Sequence, residues 1–464
     1  VSATSTGPEP TTSASPIDRS GAPARSLAVT IVAANPFEHD SRFLRSATSL
    51  AEDGHRLTIL GWSGPGLAPE EELAPGVRLV RLPVDRRLSL ALRPLPGPLR
   101  TLLCRLIGLD PAATVLPPDP PRGLDRLRHP IRRSVELLAN ARRVGPWTEL
   151  VLGAAPGTDV FHCQSFIVLP VVHGAARRLG ARFVYDVADY HSEAARLARM
   201  PRWFRAIVRA RERRLVRGAS GFLAVSDPVA QLIEERWSLP ERPGIVLNCP
   251  PAWRPEDPSA PVLPRLREAA GVEPGRPIVL YQGGFSVDRG VEELVAAVEE
   301  PALRSRGTVA VFMGYGRLEG WLRGIARERP DRVRVLPAVP PDELLGWTAG
   351  ADVSFVGQPP RTLNQRMNLP NKLFESIMAG VPVVVARENE QCRLVSAEGI
   401  GRCATIDDPA SVAGEIAALL DLPPDEMAAL RVRCREIALA RYTWDGTAGD
   451  LVRLYRRLAA AARG

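Results

Sequence analysis

Lysine is almost missing from this chain. Its 464 residues carry 60 basic side chains, and Lys372 is the one lysine among them. Arginine supplies the rest, a whole-chain bias of the kind a GC-rich coding sequence produces, so arginine richness alone says little about partners. Clustered cysteine is missing too. The six cysteines (Cys104, Cys163, Cys249, Cys392, Cys403 and Cys434) are scattered, with no C-x-x-C pair and no Cys/His group. That spacing gives no support to a zinc site or a disulfide framework and fits a reducing cytoplasm. No apolar run approaches the roughly 18–20 residues that cross a bilayer. The Ser/Thr/Pro-rich start lacks the apolar stretch of a secretory signal, and residues 1–26 read as a disordered tail. Nucleic-acid binding finds no support, because the basic charge comes without a recognition motif.

What is present is ordinary in amount and regular in order. The apolar fraction is 45%, the net charge +8 and the isoelectric point near 9.6. That charge favours anionic partners such as nucleotides or phospholipid head groups. A chain of this length divides into two or three domains. From Leu27 onward, short β-branched runs (Leu27–Ala33, Arg56–Leu60, Val77–Leu82, Val160–Cys163, Arg182–Asp186, Gly221–Val225, Gly244–Leu247) alternate with amphipathic stretches. The proline-rich residues 249–264 read as a linker. Alternation then restarts with Pro277–Tyr281, Thr308–Met313, Arg332–Leu336, Asp352–Val356, Val381–Val385 and Arg402–Ile406. Strand–helix alternation predicts two doubly wound α/β domains, 27–248 and 265–445. Residues 446–464 read as a C-terminal helix that packs back on the first domain. A proline- and arginine-rich insertion, about 86–157, interrupts that domain, with apolar helix-like stretches at Leu99–Leu109 and Leu124–Val144. In doubly wound sheets, ligands bind beyond the carboxyl ends of the strands, which points to a cleft shared by the two domains.

The lone lysine sits in the most informative segment. Residues 368–385 read Asn-Leu-Pro-Asn-Lys-Leu-Phe-Glu-Ser-Ile-Met-Ala-Gly-Val-Pro-Val-Val-Val. Pro370 suits a helix start and Gly380 a helix stop. Lys372 and Glu375 then share a face at i,i+3 spacing, where a cation and a carboxylate together can hold a phosphate and a sugar hydroxyl. The same pair is equally a solvated surface pair worth ~0.2–0.5 kcal/mol.

Other strand ends carry polar clusters. Gly283-Gly284 follows a strand and leads through Ser286 and Arg289 to a helix, the make-up of an anion site with Arg289 as a planar clamp. Gly314-Tyr315-Gly316 follows the next strand and is either a base- or ribose-facing loop or a plain turn. In the first domain, residues 35–42 place His39, Asp40 and Arg42 after the first strand, with helix capping the alternative for Asp40. Residues 186–193 place Asp189, His191 and Glu193 after another strand, suited to acid–base or hydroxyl-binding work.

These residues, in this order and spacing, resemble the GT-B fold glycosyltransferases of family 4, the group 1 type. In the first domain the likeness rests on Asp40-Ser41-Arg42, Ala51–His55, Asp159–His162, Tyr185–Asp189 and Val246–Pro250. In the second it rests on Tyr281–Gly290, Ala351-Asp352-Val353, Asn371–Glu375 and Tyr442-Thr443-Trp444. The resemblance implies retaining transfer of a sugar from a nucleotide-sugar donor to an acceptor hydroxyl. The second domain would bind the donor, using Gly283, Gly284, Gly314, Tyr315, Asn371 and Leu373. Glu375 would hold ribose hydroxyls, Arg289 and Lys372 would stabilise the departing diphosphate, and His191 is the remaining catalytic candidate. His39, Asp40, Arg42, Asp189 and Glu193 would face the acceptor. No bound metal or other cofactor is implied. The chain departs from the family at Met367, where many members carry a second glutamate, and at Ala188 and Gln164-Ser165, where histidine-containing pairs are common. Arg289 stands where many members have lysine. Those departures keep two alternatives open: a non-catalytic partner protein, and a sugar-nucleotide epimerase on the same fold. A lipid-linked glycan, a polysaccharide precursor and a small molecule all fit as acceptor. The expected location is cytoplasmic. The basic insertion and the helix Arg202–Arg217, with Trp203, Phe204, Ile207, Val208 and Leu215, add an expectation of peripheral contact with the inner membrane surface.

Overall fold

The computed structural model describes residues 14–461 except 22, 24, 38–39, 115–124, 194–196, 198–199, 201 and 256–264. It divides into two units. An N-terminal unit takes the described residues of Arg19–Ala188, Val208–Phe222 and Leu454–Gly464, and a C-terminal unit takes those of Val1–Asp18, Asp189–Ile207 and Leu223–Arg453. Part of the linker expected at 249–264 lies outside the described residues, as does most of the tail expected at 1–26. Of that tail, Ser15 and Ile17 are held by backbone hydrogen bonds with Gly449 and Asp445, so this stretch is not free chain.

The first sheet is built on β1 (Ala28–Val32), which pairs in parallel with β2 (Arg56–Trp62) and β5 (Val160–Cys163). β4 (Val77–Leu82) extends it beyond β2, and β6 (Arg182–Val187) beyond β5. With β3 (Glu70–Ala74), β7 (Gly221–Ala224) and β8 (Gly244–Ile245), the order is β3-β4-β2-β1-β5-β6-β7-β8. The sequence pattern finds every strand except β3, a charged antiparallel edge strand whose Glu70-Glu71-Glu72 run carries no buried face. The interior of β1 is polar at one point. Thr30 is buried there, and its hydroxyl lies 2.7 Å from that of Thr158.

The second sheet is wholly parallel. Its strands are β9 (Ile278–Gly284), β10 (Val309–Tyr315), β11 (Val333–Leu336), β12 (Val353–Val356), β13 (Val383–Ala386) and β14 (Gly401–Ala404), in the order β11-β10-β9-β12-β13-β14. Near-continuous apolar runs are what a sheet covered on both faces requires. One face packs on a core that includes Tyr281, Phe285 and Phe312, and the other on Leu280, Val311 and Val381. The chain runs outward from β9 through β10 to β11, then returns to the other side of β9 with β12. That reversal makes the carboxyl ends of β9 and β12 a topological switch point, where open α/β sheets bind ligands.

Cysteine spacing misleads at one place. Cys392, in helix Glu390–Glu398, is joined by a disulfide to Cys403 on β14. The helix turns the chain back so that two cysteines 11 residues apart meet with Cα atoms 5.7 Å apart, a closeness that linear spacing does not reveal. The other four cysteines are free and buried. Among the described residues, no helix is long and apolar enough to cross a membrane.

Candidate active site

The helix Asn371–Met378 begins where the sequence places it, after Pro370. Leu373, Phe374 and Ile377 are fully buried and fix its inner face. Leu373 therefore offers a ligand only its backbone. Pro370 supplies no capping side chain, and the Leu373 N–H donates instead to the Pro370 carbonyl at 3.0 Å. Glu375 is buried, and its Oε2 accepts a 2.9 Å hydrogen bond from Nε2 of Gln282 on β9. The Oε1 of Gln282 accepts in turn from the Thr348 hydroxyl at 2.6 Å. The Glu375 carboxylate is thus oriented from the strand, through an amide that is itself held.

Lys372 is half-buried, and its Nζ lies 4.1 Å from the centre of the Tyr281 ring. Among the described residues no carboxylate stands within ion-pair distance of it. Burial, with the Arg289 charge in support and Glu375 opposing, lowers its pKa to about 7. A lysine at that value gains its charge readily when an anion arrives.

The carboxyl ends of β9 and β10 close on each other through glycine. Gly283 pairs with Gly314 and Gly284 with Tyr315. Gly314 has a φ of 153°, and a Cβ there would overlap the Gly283 carbonyl oxygen. Gly283 and Gly284 are exposed, and nothing lies within 4 Å of where their side chains would stand. Tyr315 is exposed. Arg289 follows Asp288, a non-glycine residue at φ 65°. The Asp288 carboxylate accepts from Arg361 at 2.7 Å. The loop that carries Arg289 is thereby anchored from the β12 side of the switch point.

The polar residues after β6 fall into two groups. Asp189, in the C-terminal unit, accepts at Oδ1 from Asn364 (3.1 Å) and Asn368 (3.2 Å), both just before the Lys372 helix. His191 Nδ1 lies 2.9 Å from the Asp189 carbonyl oxygen. A carbonyl only accepts, so Nδ1 carries a proton, and in the neutral ring Nε2 carries the lone pair. Glu193, the other acceptor-side candidate after β6, is already paired. It is buried, and its two oxygens take Arg236 at 2.7 Å and Arg205 at 3.1 Å, a structural ion-pair hub.

In the N-terminal unit, Arg42 is likewise paired. Its Nε and Nη2 grip Asp186 at 2.9 and 2.8 Å, with both side chains buried. Burial pushes the Asp186 carboxyl up, but Arg42 and His162 together hold it well below the usual carboxylate range. Gln164, at one of the family-divergent positions, donates to Asp186 at 3.0 Å. Asp40 caps the helix Ser41–Glu52 and accepts from Asn35, and burial raises its pKa. His39 lies outside the described residues. Among the described residues no three metal-ligating side chains cluster.

Two family models cover most of the chain. Residues 40–250 match a glycosyl transferase 4-like domain and residues 276–422 match glycosyl transferases group 1. The chain belongs to the group 1 glycosyltransferases of GT-B fold. No curated protein matches the sequence at a significant level. Solved structures agree on the fold. A sucrose-phosphate synthase from Thermosynechococcus elongatus is 17% identical with a TM-score of 0.67, covering 94% of this chain and 100% of that one. HepE from Anabaena, solved with UDP and glucose, is 14% identical with a TM-score of 0.60, covering 94% and 99%. WaaG, a glycosyltransferase involved in lipopolysaccharide biosynthesis, is 16% identical with a TM-score of 0.57, covering 91% and 99%.

The sequence pattern singles out Lys372, Glu375 and Asp189 as candidates for a glycosyltransferase site but not the side chains that contact them. Gln282 is a single polar residue inside an apolar strand, and only its place at a strand's carboxyl end marks it. Thr348, Asn364 and Asn368 carry no such signal, because each acts through a contact distant in sequence.

Proposed function

We propose that this glycosyltransferase transfers a sugar, with retention of anomeric configuration, from a nucleoside-diphosphate sugar to an acceptor hydroxyl. One observation carries the reading. The chain's one lysine is held over Tyr281, without a carboxylate partner among the described residues, beside Arg289, at the start of a helix whose buried Glu375 is oriented by Gln282. Breaking the anomeric C–O bond puts negative charge on the diphosphate. Lys372 and Arg289 meet that charge as it develops, Lys372 as a point cation and Arg289 as a fork. The exposed glycines at the end of β9 leave room for backbone approach. Glu375 accepts hydrogen bonds from the ribose hydroxyls. His191, with its lone pair at Nε2, is the group that receives the acceptor hydroxyl. The fit of a nucleotide sugar is supported by HepE, whose structure holds UDP and glucose. With two cations at the leaving group, the reaction needs no bound metal, and turnover is expected to survive EDTA.

The acceptor is a lipid-linked glycan, a polysaccharide precursor or a small molecule. The work is placed in the cytoplasm, with peripheral contact at the inner membrane surface. The test is a panel of UDP-, GDP- and dTDP-sugars offered to the purified chain. Binding of one of them is expected, followed by transfer whose product keeps the donor's anomeric configuration by proton NMR. Binding and turnover of none would leave the non-catalytic reading, and an inverted product would end the claim of retention.

A further inference from the structure

The insertion between β4 and β5 carries a surface that the transfer chemistry does not use. Residues 86–109 contain five arginines and no carboxylate. Across residues 86–157 there are twelve arginines against five carboxylates, which accounts for seven of the chain's net +8. Within this stretch the helix Gly97–Leu106 has two unlike sides. Cys104 points inward, 1% exposed, into a cluster with Leu90, Val135 and Ala139. Leu99, Leu102 and Leu106, at i, i+3 and i+7, form a row on the far side and are 43%, 53% and 60% exposed. Arg100 and Arg105 flank that row at helical spacing. Among the described residues, neither they nor Arg93 has a carboxylate partner. The neighbouring helix Asp125–Ala154 is tied to the end of this one by Arg132, which donates to the Ile107 carbonyl at 2.6 Å. It adds Ile131 and Leu138, also i and i+7, at 52% and 42% exposure.

Charge decides what covers this face. A second copy of the chain would present the same positive surface and be repelled. A neutral apolar partner would leave the arginines unmatched. Leucines bordered by unpaired arginines suit a surface that is apolar beneath and anionic above. We infer that the helix Gly97–Leu106 lies in the interface of an anionic phospholipid bilayer. Its leucines enter the acyl–headgroup boundary, and Arg93, Arg100 and Arg105 meet the lipid phosphates. This deepens the membrane contact proposed above by naming its surface. The helix Arg202–Val216 is a lesser candidate. It exposes Trp203 and Ile207, but Val208 and Val216 are buried.

The test sediments the full chain with vesicles of phosphatidylcholine alone and of phosphatidylcholine with phosphatidylglycerol. Binding to the anionic vesicles is expected to be stronger by on the order of tenfold or more and to weaken with added salt. Leu102→Ser with Leu106→Ser is expected to lower that binding by at least about tenfold, while thermal unfolding and nucleotide-sugar binding stay unchanged because both side chains are exposed. Arg100→Glu with Arg105→Glu is expected to remove the preference for anionic lipid. No binding to anionic vesicles, or binding that the leucine variant leaves intact, would overturn the inference. So would a dimer that the leucine variant dissolves. Vesicle binding without binding of any nucleotide sugar would uphold this surface and sink the donor reading, so the two fail separately.

Discussion

Arg42 and Lys372 are both cations drawn out of water, and they are treated in opposite ways. Arg42 is buried with its charge cancelled by two hydrogen bonds to Asp186, whose remaining capacity is filled by Gln164. Among the described residues, Lys372 has no such partner within reach. It has an aromatic face beneath it and a second cation nearby, and burial first, with the Arg289 charge in support, lowers its pKa to about 7. A buried pair completes itself and builds the fold. A half-buried cation held without a carboxylate, beside another of its sign, is a place arranged for an anion that comes and goes. The first kind of site should fail by unfolding and the second by losing activity.

The largest effect is therefore expected at Arg42. Arg42→Ala leaves the buried Asp186 without its guanidinium partner and should cost roughly 3–5 kcal/mol of stability, read as a shifted midpoint in urea unfolding. The pair also links stability to pH. A carboxyl depressed on folding contributes fully above its unfolded pKa, and this contribution is lost as pH falls through the folded value. The N-terminal unit should thus lose stability in acid, and Arg42→Ala should lose that dependence. Arg42→Ala protein with wild-type stability and impaired transfer would reverse the assignment.

Next comes Lys372. Lys372→Ala should leave the unfolding midpoint unchanged or higher, because it removes a partly desolvated charge that no carboxylate offsets. It should lower kcat on the order of 10²–10³-fold, the usual cost of removing one donor from a developing oxyanion. The pH profile sharpens the point. With a free-enzyme pKa of about 7, Lys372 is charged below and neutral above that value. kcat/KM should therefore fall as pH rises past about 7, and Lys372→Arg should hold its level to higher pH, since a guanidinium does not titrate there. A profile flat through this range in the wild type would remove Lys372 from the leaving-group site. Glu375→Gln should follow, weakening donor affinity by roughly 10–100-fold through the lost charged hydrogen bonds, with kcat little altered. Calorimetric titration of the donor, with steady-state kinetics beside it, separates those two quantities.

Much of this comparison was legible before any coordinates. The parallel sheets announce themselves through apolar runs bounded by glycine and proline. Lys372 stands out by being alone, and its helix carries its own start and stop. What was hidden depends on distance along the chain. Arg42 and Asp186 are 144 residues apart, and each looks like a loop residue with chemistry to offer until they meet. Glu193 read as an acid–base candidate because Arg236, 43 residues on, is invisible to local pattern. The Cys392–Cys403 bridge is short in sequence but forms only because a helix and a strand fold back together. Periodicity reports what faces the core. It does not report which polar groups have found each other there.

The smallest effect tests that distinction within the donor site itself. Gln282 is as buried as a core residue and is 93 positions from the carboxylate it holds. Replacing it by leucine keeps the volume and removes one hydrogen bond from Glu375. Thr348 is not orphaned by the change, because its hydroxyl also lies 2.8 Å from the Leu344 carbonyl. The loss is then confined to the orientation of Glu375. Gln282→Leu should raise the donor KM roughly three- to tenfold and leave kcat near wild type, with little change in unfolding. Gln282→Glu should raise KM further, because it sets a second carboxylate against the first. If Gln282→Leu instead lowers kcat and stability together with no change in KM, the amide belongs to the core and Glu375 needs no orienting partner.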